Sequence, residues 1–375
     1  MRQICFDNAA TSFPKPYAVQ AAVQQALRTA GNPGRGGHAL ASAGGKIVYH
    51  ARETAAALFS AEPEHVVFTA SCTHALNLAI WGLLRGGGHV LISDLEHNSV
   101  ARPVFALASQ GKIAYSTVHV SADAEETVSA FSAAIRPDTK AVITTLVSNV
   151  TGQILPYREI GALCSARGLL YIADGAQACG VLPVSLRDGI RVLCTAGHKG
   201  LYGPAGTGML ITDGTAPIKP LMQGGTGSYS QSLAQPQTLP DALESGTANV
   251  SGIAGLDAGM QFVMQKTPAR IFAHETALCK RFTEGLAQMP DVTVYRTPGA
   301  DYAPVVSFRC GSELPEDTAR RLADAGFCLR AGLHCAPLAH RAIGTPEGTV
   351  RFAPSAMNTA AEVDLLLNVL PVRGR

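Results

Sequence analysis

From residue 65 to residue 212, short apolar runs alternate with longer stretches of helical spacing. HVVFTA (65–70), HVLIS (89–93), KIAYSTV (112–118), AVITTLV (141–147), LLYIAD (169–174), RVLCTA (191–196) and GTGMLIT (206–212) read as seven strands. Most are apolar at successive positions, so both strand faces are buried, as in a mainly parallel sheet covered by helices. CTHALNLAIWGLL after the first run, and the stretches 124–136 and 157–167, repeat at helical spacing. This alternation predicts an α/β sandwich. After about residue 250 the order changes. Helical stretches at 250–266 and 268–289 precede DVTVY, APVVSF, a helix near 315–325, FCLR, GTVRF and a last helix near 359–370. That order predicts a smaller α+β domain. The Gly-, Ser-, Gln- and Pro-rich segment 223–240 reads as a gate or crossing segment. The expected division is a large domain over 15–255 and a small C-terminal domain over 256–375, joined by the N-terminal segment 1–14.

Composition narrows the picture modestly. The chain has 375 residues, 47% apolar and 15% charged, enough for a large globular core. A net charge of +2 without a Lys/Arg run points to neither nucleic acid nor an anionic membrane surface. No apolar run reaches the roughly 18 residues of a membrane span. No basic region followed by an apolar stretch opens the chain, so a cytoplasmic location is expected. Nine cysteines without a C-x-x-C pair read as reduced thiols, not a disulfide framework. Cys5, Cys164, Cys179, Cys194, Cys310 and Cys328 are expected to be small buried apolar residues. Cys72 is ambiguous, and Cys335 falls among Gly, His and Pro neighbours that suit a loop. His50, His65, His89, His119 and His274 read as surface residues. His334, Cys335 and His340 cluster without a fourth ligand, so no metal site is read there.

The chemistry gathers where strands end. Ligands of open α/β sheets sit beyond the carboxyl ends of the strands. Thr73 and His74 follow the first run and open a helix, whose backbone N–H groups suit a phosphate. Glu96 and His97, Ser148 and Asn149, Asp174 and Gln177, and His198 and Lys199 follow four later runs. A single polar strand end means little, since caps and turns favour the same residues. Five successive ends suit one ligand, pyridoxal 5′-phosphate: a lysine binds it covalently and a carboxylate keeps its pyridine nitrogen protonated. Lys199 lies in CTAGHKGLYGP, where glycines are expected to let the chain approach the cofactor. GPAGTG imitates a dinucleotide fingerprint but precedes a strand instead of opening a helix.

On these and further motifs the sequence resembles the cysteine desulfurases among class V aminotransferase-fold enzymes. The resemblance is carried by FDNAATSFPKP (6–16), NPGRGGHALA (32–41), LEHNSV (95–100), VSNVTGQILP (147–156), ADGAQACG (173–180), GHKGLYGPAGTG (197–208), ESGTANVSGIAGL (244–256), RAGLHCAP (330–337) and VRFAPSAMNT (350–359). It implies a type I pyridoxal-phosphate-dependent transferase fold.

The resemblance also implies roles. Lys199 binds the cofactor and moves protons, Asp174 pairs with the pyridine nitrogen, Gln177 meets the phenolic oxygen and His97 stacks on the ring. Thr73 and His198 hold the phosphate, with Thr247 reaching across from a partner subunit of a homodimer. Asn149 and Arg351 contact the substrate, Arg351 at its carboxylate, and His38 and Arg330 lie near the entrance. Cys335 is the nucleophile, with His334 and Arg330 as candidates to favour its thiolate. Ala196 stands where a Ser or Thr is usual for the phosphate, and His74 is a possible compensating donor. The implied reaction takes sulfur from L-cysteine, leaves L-alanine and forms a persulfide on Cys335 for an unnamed acceptor. Selenocysteine lyase is a close alternative. An aminotransferase or β-lyase with Cys335 as bystander, and a non-catalytic cofactor-binding protein, are more distant ones. The short loop after Cys335 resembles the group with an ordered cysteine loop.

Overall fold

The computed structural model describes residues 3–34 and 36–371. The chain begins with strand β1 (Ile4–Cys5) and helices α1 (Tyr17–Thr29) and α2 (Ala39–Phe59). There follow β2 (Val66–Thr69), α3 (Cys72–Leu84), β3 (His89–Ser93), α4 (Asn98–Ser109), β4 (Ala114–Val118), α5 (Ala124–Ala134) and β5 (Thr139–Thr145). Next come α6 (Tyr157–Ala166), β6 (Leu170–Asp174), β7 (Val192–Ala196) and β8 (Gly208–Thr212). Helices α7 (Val250–Lys266) and α8 (Pro268–Leu286) lead to β9 (Val292–Val294), β10 (Val306–Cys310) and α9 (Pro315–Asp324). The last elements are β11 (Phe327–Cys328), β12 (Arg330–Gly332), α10 (Pro337–Ala342), β13 (Thr349–Phe352) and α11 (Ala360–Val369).

Successive residues of the central strands fall into different cores, as a two-residue period requires. Leu91, Val142, Tyr171, Leu193 and Ile211 pack on one face of the sheet. Val90, Ile143, Ile172, Val192 and Leu210 pack on the other. Among the described residues this sheet has seven strands in the order β2-β8-β7-β6-β5-β3-β4. It is mainly parallel, with β8 running against both β7 and β2. Helices α1, α2 and α4 had no counterpart in the sequence reading. The continuous helix α7 runs through residue 255.

The second sheet is antiparallel, in the order β12-β13-β10-β9. Its core stacks Phe282 on Phe352 with ring centroids 4.1 Å apart, and Phe6 lies 4.6 Å from Phe352. The N-terminal segment thus contributes to this core, and β1 pairs in parallel with β11. No helix among the described residues is long and apolar enough to cross a membrane.

Two groups of residues depart from expectation. His89 is fully buried, 2.9 Å from both Thr139 Oγ1 and Ser116 Oγ, so it belongs to the interior and not the surface. Cys5 and Cys328 are only partly buried, because their short strands lie at the margin of the second core.

Candidate active site

The carboxyl ends of β2, β3, β5, β6 and β7 converge on one pocket. Thr73, His97, Asn149, Asp174, Gln177, His198 and Lys199 all line it. Helix α3 starts there because Ser71 caps it: the Ser71 hydroxyl accepts from His74 N–H at 3.1 Å. The first N–H groups of a helix have no intrahelical partner, so Cys72 and Thr73 open the pocket with free donors. Thr73 and Ser99 share a hydrogen bond of 2.7 Å between their hydroxyls.

His97 caps α4, its Nδ1 accepting from Ser99 N–H at 3.0 Å. Burial holds this ring down to about 4, despite the opposing Asp174 charge, so it is neutral near pH 7. Beside it Glu96 is fully buried, tied to the Ser93 hydroxyl and accepting from Thr145 N–H at 2.9 and 3.0 Å.

Asp174 ends β6, almost fully buried. Its Oδ1 accepts from Ala176 N–H at 2.9 Å and from the Cys72 thiol at 3.4 Å. Oδ2 has no hydrogen bond among the described residues. Gln177 donates through Nε2 to Ala9 O at 2.9 Å.

Lys199 follows β7, and its Nζ makes no hydrogen bond or ion pair with any described residue. Burial lowers its amine's affinity for a proton, opposed by Asp174. The glycines around it serve close packing of the protein on itself. A Cβ at Gly197 would lie 2.2 Å from Thr207 Oγ1, and one at Gly200 would lie 2.5 Å from Cys179 O. The turn closes with Tyr202 N–H donating to Lys199 O at 2.9 Å, Tyr202 taking the left-handed conformation at φ 57°. The Tyr202 hydroxyl accepts from Ala356 N–H at 2.9 Å and donates to the buried Glu275 at 3.2 Å. His198 has a buried Nδ1 without a partner, and burial lowers its ring to about 4.

The small sheet faces this pocket with two arginines, Arg330 and Arg351, as direct neighbours. Arg351 is buried, donating to Asn149 O at 3.0 Å and to Asp7 Oδ1 at 2.9 Å, while its Nε has no partner. Asn149 in turn donates to His334 O at 2.8 Å. Cys335 is exposed, in the left-handed region at φ 57°, with Arg330 Nη2 3.8 Å from its sulfur. Helix α10 begins two residues later.

His334 turns away from the thiol. It is buried and 3.1 Å from Thr349 O, and burial keeps it neutral down to about 2, so it adds no positive charge beside Cys335.

Three residues singled out in the sequence lie elsewhere. His74 lines a neighbouring cleft together with Thr247, and its Nδ1 accepts from Ala70 N–H at 3.3 Å. His38 is exposed and caps α2, its Nδ1 accepting from Ala41 N–H at 3.3 Å. Ala196 does line the Lys199 pocket. Sequence reasoning overlooked Asp7, Ser99 and the Tyr202–Glu275 pair as partners. Asp7 and Ser99 stand inside quoted motifs, which is the one signal that pointed to them.

Four features of the pocket suit pyridoxal phosphate. An unpaired lysine and an unpaired carboxylate oxygen share one pocket, and an orphaned His198 nitrogen and an open helix start lie beside them.

The chain matches the family model for aminotransferase class V over residues 4–366. It is 30% identical to a probable cysteine desulfurase of Methanothermobacter thermautotrophicus, over 98% of this chain and 94% of that protein. Among solved structures, the apo cysteine desulfurase of Thermococcus onnurineus NA1 is similar with a TM-score of 0.90 and 30% identity. That match covers 98% of this chain and 94% of the other. The Escherichia coli cysteine desulfurase CsdA, in an S-sulfonic acid form, has a TM-score of 0.88 and 26% identity, with 98% and 94% covered.

Proposed function

The chain belongs to the aminotransferase class-V family and, within it, to the cysteine desulfurases, and from that premise we propose how its own residues carry the reaction. The enzyme converts L-cysteine to L-alanine and keeps the sulfur as a persulfide on Cys335, with pyridoxal 5′-phosphate as cofactor. The observation that carries this reading joins two features through Asn149, which lines the pocket of Lys199 and Asp174 and donates to His334 O, next to the exposed Cys335 that lies beside Arg330.

Lys199 would hold the cofactor covalently and Asp174 would meet its pyridine nitrogen. His97 would lie against the ring, and Gln177 would meet the phenolic oxygen. Thr73, His198 and the start of α3 would hold the phosphate. When bound, this cofactor supplies an electron sink for the charge left as a proton leaves the substrate's α-carbon. Lys199 Nζ, released when the substrate's amine takes its place and with its proton affinity lowered by burial, takes that proton. Arg351 and Asn149 contact the substrate, Arg351 at its carboxylate, and His38 and Arg330 stand at the entrance. Arg330 Nη2 lies 3.8 Å from the Cys335 sulfur, which attacks the substrate sulfur as a thiolate. A sulfur–sulfur bond forms as the Cβ–S bond breaks. The electron pair stays with the carbon skeleton, which takes up a proton at Cβ, regains the one that Lys199 removed from Cα and leaves as L-alanine.

Thr247 is exposed on a cleft with His74. Met222, Tyr229 and Leu233 of the segment before it are exposed apolar side chains. These features support a homodimer in which Thr247 serves the neighbour's phosphate site. A protein that accepts the persulfide sulfur completes the reading.

The test is incubation with L-cysteine, measuring alanine and sulfide with and without dithiothreitol. The wild type should make alanine and sulfide in equal amounts with reductant, and hold a persulfide on Cys335 without it. Cys335→Ala should bind cofactor and lose alanine formation at least about a hundredfold. Alanine formation by Cys335→Ala at the wild-type rate would overturn the persulfide assignment.

A further inference from the structure

The nine cysteines sort by position. Cys72, Cys164, Cys179, Cys194, Cys279 and Cys310 are buried, and Cys335 is exposed. Cys5 and Cys328 alone are partly exposed, and they are neighbours. Strands β1 and β11 run parallel with Cys5 and Cys328 as direct partners. Their register is held by Ile4 N–H donating to Gly326 O and Phe6 N–H to Cys328 O, both at 2.9 Å. Neighbouring strands lie about 4.8 Å apart, and in-register partners of a parallel pair project to the same face. Cystines bridge Cα separations of about 4.4–6.8 Å. The strand pair therefore presents two partly exposed thiols on one face, at a Cα separation that a disulfide spans.

We infer that Cys5 and Cys328 form a thiol–disulfide site, closed by a low-molecular-weight disulfide such as oxidised glutathione. The Cys328 thiolate attacks one sulfur of the oxidant and releases one glutathione thiol. The Cys5 thiolate then displaces the second glutathione thiol, so the protein's two thiols are oxidised and one disulfide is reduced. Burial, with the Cys328 charge adding to it, pushes the Cys5 thiol up, which disfavours Cys5 as the first attacker.

The site stands next to the two arginines of the small sheet. Cys5 lies two residues before Asp7, which holds Arg351 at 2.9 Å. Cys328 lies two residues before Arg330, whose guanidinium is 3.8 Å from the Cys335 sulfur. A cystine needs its Cβ atoms about 3.5–4.5 Å apart, so closing the bond draws the strands together. That movement alters the arginine setting of Cys335. This consequence rests on the role proposed above for Cys335, whereas formation of the bond does not.

The experiment treats the intact protein with oxidised glutathione and digests it with trypsin without reduction. Each tryptic peptide, 3–28 and 322–330, carries a single cysteine, Cys5 and Cys328. The wild type and Cys335→Ser should both yield these two peptides linked and lighter by two hydrogens. Cys5→Ser and Cys328→Ser should yield none. Dithiothreitol should reverse the link. In the wild type, oxidation should change the rate of Cys335 alkylation by iodoacetamide at least about threefold. If Cys5 and Cys328 remain alkylatable after oxidation, or carry only glutathione, the site is overturned. If the link forms while the Cys335 alkylation rate stays constant, the influence on Cys335 is overturned.

Discussion

A carboxylate offers one oxygen to a ligand most reliably when its other oxygen is already held. Asp174 meets that condition through two donors on Oδ1, the Ala176 N–H and the Cys72 thiol. Cys72 was ambiguous in the sequence, and its distance of 3.4 Å from Oδ1 gives it this positioning role. Burial with the adjacent Asp174 charge keeps the thiol protonated, as a donor must be. A thiol is a weak donor, and hydrogen bonds to charged groups contribute about 1.5–3 kcal/mol at full strength. Cys72→Ala should therefore weaken binding of pyridoxal phosphate to the apoprotein by about three- to tenfold. Cys72→Ser, which keeps a donor, should recover most of that loss. An absorbance titration of the apoprotein measures both. Equal affinities for wild type and Cys72→Ala would show that Ala176 N–H alone orients the carboxylate.

Helix α3 joins stability to ligand chemistry, because one residue serves both. Ser71 caps the helix and also lines the pocket. Ser71→Ala should cost about 1 kcal/mol in unfolding by urea, the usual loss for a removed N-cap. Asp caps as well as Ser, so Ser71→Asp should keep wild-type stability. Its charge, however, would stand at the helix start where the phosphate belongs, so this variant should lose cofactor on dialysis while Ser71→Ala retains more. If Ser71→Asp keeps its cofactor, the phosphate lies away from this helix start. The elements themselves differed in how plainly the sequence announced them. The central strands were legible because they are apolar on both faces, and the strand-end residues because each follows such a run. Helix α2 was hidden by Gly44 and Gly45, and α4 by Pro103 inside it. Gly44 answers to a tertiary contact, since a Cβ there would lie 2.2 Å from Gly31 O. The pocket residues were legible one by one, but their partnerships were not. Asp7 and Arg351 are 344 residues apart, and only the folded sheet makes them a pair.

For the whole molecule, a net charge of +2 conceals two opposed sets of buried titrating groups. Burial holds His97 and His198 to about 4 and His334 to about 2, and lowers His74, His89 and His340, all from 6.5. Below about 6.5 the unfolded chain therefore binds protons that these folded rings refuse, and stability falls as pH drops. Glu96 and Glu275 are shifted the other way, pushed by burial from 4.5 up to about 8. Between those values the folded chain keeps protons that the unfolded chain has released, so stability falls as pH rises. Below 6.5 the six histidines outweigh the two glutamates, and from 6.5 to 8 the glutamates act without them. Maximal stability is therefore expected near pH 6.5. Each glutamate should contribute a loss of about 1.4 kcal/mol per pH unit on the alkaline side. Glu275→Gln isolates one of them, because its amide oxygen still accepts from the Tyr202 hydroxyl while the side chain no longer titrates. Urea unfolding at several pH values from 6.5 to 8 should show the variant losing about half as much stability as the wild type. Parallel losses in the two proteins would mean that Glu275 is already ionised in the folded state, and that Tyr202 holds a carboxylate behind the Lys199 turn.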